Sequence, residues 1–398
     1  MPDIKLIMSQ KENICWIIAF NFGSVKAGPV LRFMRYAPLF GQEGVKTVFV
    51  TKNRYEDTSK ESEEFEVKYL DCEDSVSLTR QAIDAAVKSE SKPNSMIFLS
   101  IDHQSYFDLK KAKKYGIKLI YVSTMHFDLR FKEYGTKRGL LSRLILYLLL
   151  NYTFSLFNQI ICSTNLLKKD FLKLGISDKL ISVIYNGVDT KKFSKIETKD
   201  KLQLREKYKL NSEKVVLLFV GLFVERKGVD YLVNLYEHFI LSNPHHNTLL
   251  LMVGDEMLDI TENSVEFKQN WPKLRDEAEK KGIIQFHNFS KDIHEYYKFA
   301  DVFVFPSKLE GMPNVLIESM ASGLTVLVNR FEGFSEDYGT AGKEYDWITY
   351  DIEEDLVTLS KFVFDSSIRD YFGSNALTYS HDNFELNKSI IKYITLLK

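Results

Sequence analysis

Short apolar runs alternate with amphipathic stretches along almost the whole chain, and that alternation leaves few folds open. In the first half, residues 15–20, 46–51, 95–100, 118–123 and 159–163 have the length and composition of buried strands. Helices are predicted between them at 30–40, 76–88 and 107–115. The second half repeats the pattern, with strands predicted at 215–220, 248–253, 283–286, 302–306 and 325–329. Its helices are predicted at 229–241, 271–281, 292–300 and 315–322. Apolar strands separated by helices belong in parallel sheets covered on both faces. The expected class is therefore α/β, with two Rossmann-like halves. Two such halves facing each other would leave an interdomain cleft at the carboxyl ends of their strands, where ligands of open α/β sheets bind.

A length of 398 residues suits two to three domains of ordinary size. The division is predicted at the Asn186-Gly187 turn, ahead of the charge-dense stretch 191–201. That gives 1–187, 188–378 and a closing segment 379–398, in which Phe384, Leu386, Ile390, Ile391, Ile394 and Leu397 recur close to helical spacing. The 53 basic and 54 acidic side chains nearly cancel, which argues against nucleic acid as a partner. Cys15, Cys72 and Cys162 have neither metal-ligand nor disulfide-scaffold spacing, as expected of a cytoplasmic protein. The apolar run 14–22 reads as a strand rather than a secretory signal. A second apolar run, 140–157, is interrupted by Arg143 and Asn151 and reads as a buried or interface-lying helix.

One loop carries the densest chemical signal. The strand ending at Pro306-Ser307 continues through Glu310, Gly311, Met312 and Pro313 into a helix that opens near Asn314 and Val315. The start of that helix presents unpaired amides and a partial positive charge, an anion site. Glu310 and Glu318 stand eight positions apart on either side of it. A sugar nucleotide needs this combination: amides and cations for its diphosphate, carboxylates for its hydroxyls. Arg226-Lys227, just before Gly228, supply candidate cations. No Asp-x-Asp pair occurs anywhere, so no acidic site for a diphosphate-bridging metal is visible.

The stretch from Phe305 to Gly323 resembles the E-x7-E motif of family 4 retaining glycosyltransferases, which have the GT-B fold. Three further segments resemble that family in the same order: Ile161-Cys162-Ser163-Thr164, Val183 to Asp189 with Phe193, and Phe219 to Asp230 with its Lys227-Gly228. The resemblance is strongest over residues 115–335. It implies that Glu318 binds ribose hydroxyls and Glu310 the donor hexose, and that Arg226 and Lys227 meet the diphosphate. It also places Asn288 in a loop against the nucleobase, where Asn can take the left-handed backbone of the family's Gly. His126 falls where the family carries a His near donor sugar and acceptor, and His103 is a second candidate on the acceptor side. Gly23 and Gly28 lie in the loop after the first strand, with Ala27-Gly28 in place of a Gly-Gly pair. Leu222 stands where the family often has Arg, and Glu332 fills the first Gly position of its G-G-x-x-E loop. The closing segment resembles the helix that crosses back onto the N-terminal domain.

The resulting expectation is a hexose transferred with retention from a nucleoside diphosphate sugar, UDP-linked for example, to a saccharide or lipid-linked saccharide hydroxyl, in cell-envelope or exported polysaccharide synthesis. No cofactor and no metal are expected. Lys132, Lys137, Arg138 and Arg143 cluster with Phe131, Tyr134 and the apolar run from Leu140, pointing to peripheral attachment at an anionic membrane surface on the cytoplasmic side. A sugar phosphorylase or nucleotide-sugar epimerase on the same fold, or a non-catalytic sugar-binding scaffold, are the alternatives.

Overall fold

The computed structural model describes residues 12–20, 28–52, 65–124, 140–245 and 247–398, with backbone alone at 140–143. The chain forms two compact units, Met1–Tyr185 with Asn387–Lys398, and Asn186–Leu386. The first division thus comes at 185/186, and the chain re-enters the first unit at Asn387 rather than near 379.

In the first unit, seven strands form a parallel sheet: β1 (Asn13–Ile18), β2 (Val45–Lys52), β3 (Glu66–Leu70), β4 (Ser95–Phe98), β5 (Lys118–Ser123), β6 (Gln159–Cys162) and β7 (Ile181–Val183). Their order is β3-β2-β1-β4-β5-β6-β7. In the second unit β8 (Val215–Val220), β9 (Thr248–Val253), β10 (Ile284–His287), β11 (Val302–Phe305), β12 (Thr325–Asn329) and β13 (Asp346–Ile348) take the order β10-β9-β8-β11-β12-β13. The order reverses between β1 and β4 and between β8 and β11, so each sheet has one topological switch point. Both central strand sets are almost wholly buried, as their uninterrupted apolar sequences require. Each such fully buried Leu or Phe contributes about 1.5–3 kcal/mol.

Three edge strands, β3, β7 and β13, go beyond the sequence expectation. β3 carries Glu66 and Lys68 and is half-exposed, so it lacks the apolar run that marks a buried strand. The helix expected from 271 begins six residues earlier, at Val265, where the Ser264 hydroxyl accepts from Phe267 N at 3.1 Å. The closing segment is two helices rather than one. The helix Ser366–Phe384 stops because the next backbone groups pair with the linker: Val188 N donates to Phe384 O at 2.8 Å and Leu386 N to Val188 O at 3.0 Å. The helix Leu386–Leu397 then packs in the first unit, where buried Tyr393 sits 5.4 Å from the Phe33 ring and 5.7 Å from Tyr36.

The helix Leu140–Phe154 is apolar on both faces. One face is anchored: Phe154 is fully buried, and Tyr147 OH and Asn151 Nδ2 donate to the Lys173 and Leu174 carbonyls. Leu144, Ile145, Leu148, Leu149 and Tyr152 line the opposite face and remain 42–61% exposed. Among the described residues no helix is long and apolar enough to cross a membrane.

Candidate functional site

The switch point of the second sheet lies between β8 and β11, which pair in parallel with Val302 opposite Leu217 and Phe303 opposite Leu218. The two loops leaving the carboxyl ends of these strands carry Arg226-Lys227 and Glu310. They are joined directly, Lys308 N donating to Arg226 O at 2.7 Å. Between them Glu310 Oε1 accepts from Lys227 Nζ at 2.5 Å, from Ser307 Oγ at 2.6 Å and from Arg226 Nη1 at 3.2 Å. Arg226 also donates through Nε to Glu262 at 2.9 Å and through Nη1 to the Leu309 carbonyl at 3.3 Å.

The side chains of Lys227 and Glu310 are 10% and 11% exposed, so their charges interact at short range with little water between them. Burial alone would raise the Glu310 carboxyl. The charges of Lys227 and Arg226, with hydrogen bonds from Lys227 and Ser307, outweigh it and hold the group below its ordinary value. Burial lowers the Lys227 ammonium, and the Glu310 charge offsets this only in part. The Lys227 ammonium also lies 5.0 Å from the centroid of the Phe305 ring.

The loop from Pro306 to Pro313 is pinned along its length. Asn329 Nδ2 donates to Ser307 O, Glu332 N to Lys308 O and Glu310 N to Glu332 O. The Tyr338 hydroxyl reaches Gly311 O at 3.4 Å. Asn186 Nδ2 donates to Met312 O at 2.9 Å and Asn314 Oδ1 at 2.8 Å. Asn186 therefore ties the linker motif to the loop, a role its place in an Asn-Gly turn did not reveal. Ser307, also absent from the expected set, is legible only as the residue that ends β11. Gly311, Met312 and Pro313 are buried, and Asn314 and Val315 are half-buried. The helix Asn314–Ala321 opens at Pro313 without a side-chain cap, leaving its first-turn amides to other partners.

Glu318 is buried on that helix, and its Oε2 accepts from Tyr297 OH at 3.4 Å. The site thus gathers Arg226, Lys227 and Glu310 into one cluster, with Glu318 about one turn into the adjoining helix. Asn288 follows β10 and is exposed, but it does not adopt the expected left-handed backbone. The reversal there is absorbed next door, with Gly254 N donating to His287 O and Phe289 N to the Asp255 carboxylate. Leu222 and Glu332 lie in the loops flanking this cluster.

His103 belongs to the first unit, in the short turn after β4, with its Nδ1 3.1 Å from Asp102 Oδ1. Gly28 opens the helix Gly28–Gln42 with open space where a Cβ would point. His126 and Gly23 lie outside the described residues, as do Lys132, Lys137 and Arg138. Among the described residues no group of three His, Cys, Asp or Glu side chains could hold a metal ion.

Two family models match the chain: Glycosyltransferase Family 4 over residues 102–192 and Glycosyl transferases group 1 over residues 200–376. The UDP-Gal:alpha-D-GlcNAc-diphosphoundecaprenol alpha-1,3-galactosyltransferase of Escherichia coli is 30% identical over 44% of this chain and 43% of its own length. An uncharacterized 41.2 kDa protein in the cps region of Klebsiella pneumoniae is 28% identical over 41% of this chain and 40% of its own. The chain thus spans about two fifths of the length of these curated relatives. Among solved structures, Anabaena HepE in complex with UDP has a TM-score of 0.75 at 15% identity, covering 97% of this chain and 99% of that one. That likeness establishes the fold, which is GT-B. With both family models in chain order and the E-x7-E loop built at the switch point, the chain belongs to the family 4-type glycosyltransferases.

Proposed function

We propose that this chain transfers a hexose from a nucleoside diphosphate sugar to a saccharide hydroxyl, with retention at the anomeric carbon, in cell-envelope or exported polysaccharide synthesis. The observation that carries the reading is the convergence of Lys227, Arg226 and Ser307 on Glu310 at the carboxyl ends of β8 and β11. A diphosphate arriving there meets two cations and the amides at Asn314 and Val315 without any metal. Uridine is the favoured base, because HepE has been crystallised with UDP and with UDP-glucose and the E. coli relative is named for UDP-galactose.

In the proposed reaction the bond between the anomeric carbon and the phosphate oxygen breaks as the acceptor oxygen attacks the same face. The acceptor proton passes to the leaving phosphate oxygen, whose charge Lys227 and Arg226 stabilise. Glu310 faces the hexose while holding Lys227 in place, Glu318 takes ribose hydroxyls, and Asn288 borders the base. His126 and His103 are assigned to the sugar and acceptor side. Incubation with UDP-, GDP- and ADP-sugars, with and without saccharide acceptors, tests the reading. An α-linked product from a UDP-α-sugar supports it. Nucleotide release only by phosphorolysis, or none over a broad acceptor panel, would sink it. Lys227→Ala should lower kcat by about 10²- to 10³-fold, whereas Glu318→Ala should chiefly weaken donor binding.

A lipid-linked acceptor on an anionic membrane is the favoured acceptor class. The uncovered apolar face of the helix Leu140–Phe154 follows the basic and aromatic stretch 131–143 in sequence, a pairing suited to the lipid interface. The acceptor named for the E. coli relative is a diphosphoundecaprenol. The enzyme would then work at the inner face of the membrane.

A further inference from the structure

Tyr350 has a left-handed backbone, φ 66°. For a bulky aromatic residue this is strained, and such strain persists only where the surroundings over-determine it. Here they do. Buried Asp355 accepts from Thr349 N at 2.8 Å, Thr349 Oγ1 at 3.1 Å, Tyr350 N at 3.2 Å and Tyr231 OH at 2.5 Å. The four bonds fix the turn between β13 and the helix Ile352–Phe364 and aim the Tyr350 ring at the site.

The ring is gripped from both loops. Tyr231, three residues after Gly228, stacks on it at 4.2 Å, and the Lys308 ammonium lies 5.5 Å from its centroid. Its hydroxyl donates to the carbonyl of Pro306, the residue that opens the Glu310 loop. The same hydroxyl occupies the space that a Cβ on Gly228 would need. One side chain thus touches the segment carrying Arg226-Lys227 and the segment carrying Glu310. Filling the turn alone would call for Gly or Asn, either of which takes this backbone without strain.

We infer that Tyr350 is a positioning residue: a strut, braced by Asp355 and Tyr231, that sets the spacing of the Lys227 and Glu310 loops for the donor diphosphate. The inference rests on the donor-site reading above. The test compares wild type, Tyr350→Phe and Tyr350→Gly in three measurements. These are kcat and KM for a UDP-sugar, thermal midpoint, and the rate at which acetic anhydride labels Lys227, read by peptide mass spectrometry. A strut predicts that Tyr350→Phe lowers kcat about tenfold or more, changes KM less, and speeds Lys227 labelling. Tyr350→Gly relaxes the backbone but also loses the stacked ring, and should turn over no faster than Tyr350→Phe. Wild-type kcat and wild-type labelling in Tyr350→Phe would overturn the inference, as would activities that merely follow the melting order. If wild type neither binds UDP nor turns over, while Tyr350→Phe still exposes Lys227, the donor reading falls and the strut stands.

Discussion

A single carboxylate oxygen, Glu310 Oε1, takes hydrogen bonds from Lys227, Arg226 and Ser307. Without a ligand this arrangement balances buried charge. In the proposed donor complex the same cations would turn to phosphate. The balance has a pH signature. The carboxyl titrates below its ordinary value in the fold, so its stabilisation is complete above the ordinary carboxylate range. It is lost as pH falls through the depressed value. Glu310→Gln leaves the Lys227 ammonium buried without its counter-ion and should cost about 3 kcal/mol at neutral pH. Denaturant melts at pH 7 and in acid check this, and the gap to wild type should narrow in acid. The residue types were legible from sequence, because E-x7-E and Lys-Gly name their positions. The contacts were not. Nothing in spacing says that Ser307 would join Glu310, or that Asn186 would reach 126 positions along the chain to Met312.

At the scale of elements, the site is two loops held at fixed separation, and Gly228 is a point of close approach that leaves no room for a Cβ. Its φ is 66°, and a Cβ would collide with the Pro306 carbonyl and the Tyr350 hydroxyl. Gly228→Ala should therefore lower stability by about 1–3 kcal/mol in denaturant melts and reduce turnover, although it removes no polar group. The helix Leu140–Phe154 poses the opposite case, an apolar face left exposed among the described residues. Leu148→Glu should leave the melting temperature near wild type and reduce co-sedimentation with anionic vesicles. Equal recovery on anionic, neutral and no vesicles would sink the membrane reading. Central strands were legible to within two residues at each end because each is a closed apolar run. Edge strands such as β3 and β13 pair on one side only, so their sequences carry half the signal. The break at Glu385 was hidden because its cause, the pairing with Val188, lies almost two hundred residues away.

At the scale of the molecule, the chain builds one open parallel sheet, crosses at Tyr185–Asn186, builds a second, and returns at Leu386–Asn387 to bury Tyr393 against the helix Gly28–Gln42. The α/β alternation foretold both sheets, and the apolar stripe of the closing segment foretold a helix. The return itself rested on family resemblance, since a stripe does not name the surface it will cover. The functional account depends on the switch point of the second sheet holding a diphosphate. Calorimetric titration of UDP and of uridine into wild type and Lys227→Ala tests that claim most directly. UDP should bind wild type far more tightly than uridine, and Lys227→Ala should erase most of the difference. Equal affinity of wild type for the two ligands, or a UDP advantage that survives in Lys227→Ala, would contradict it.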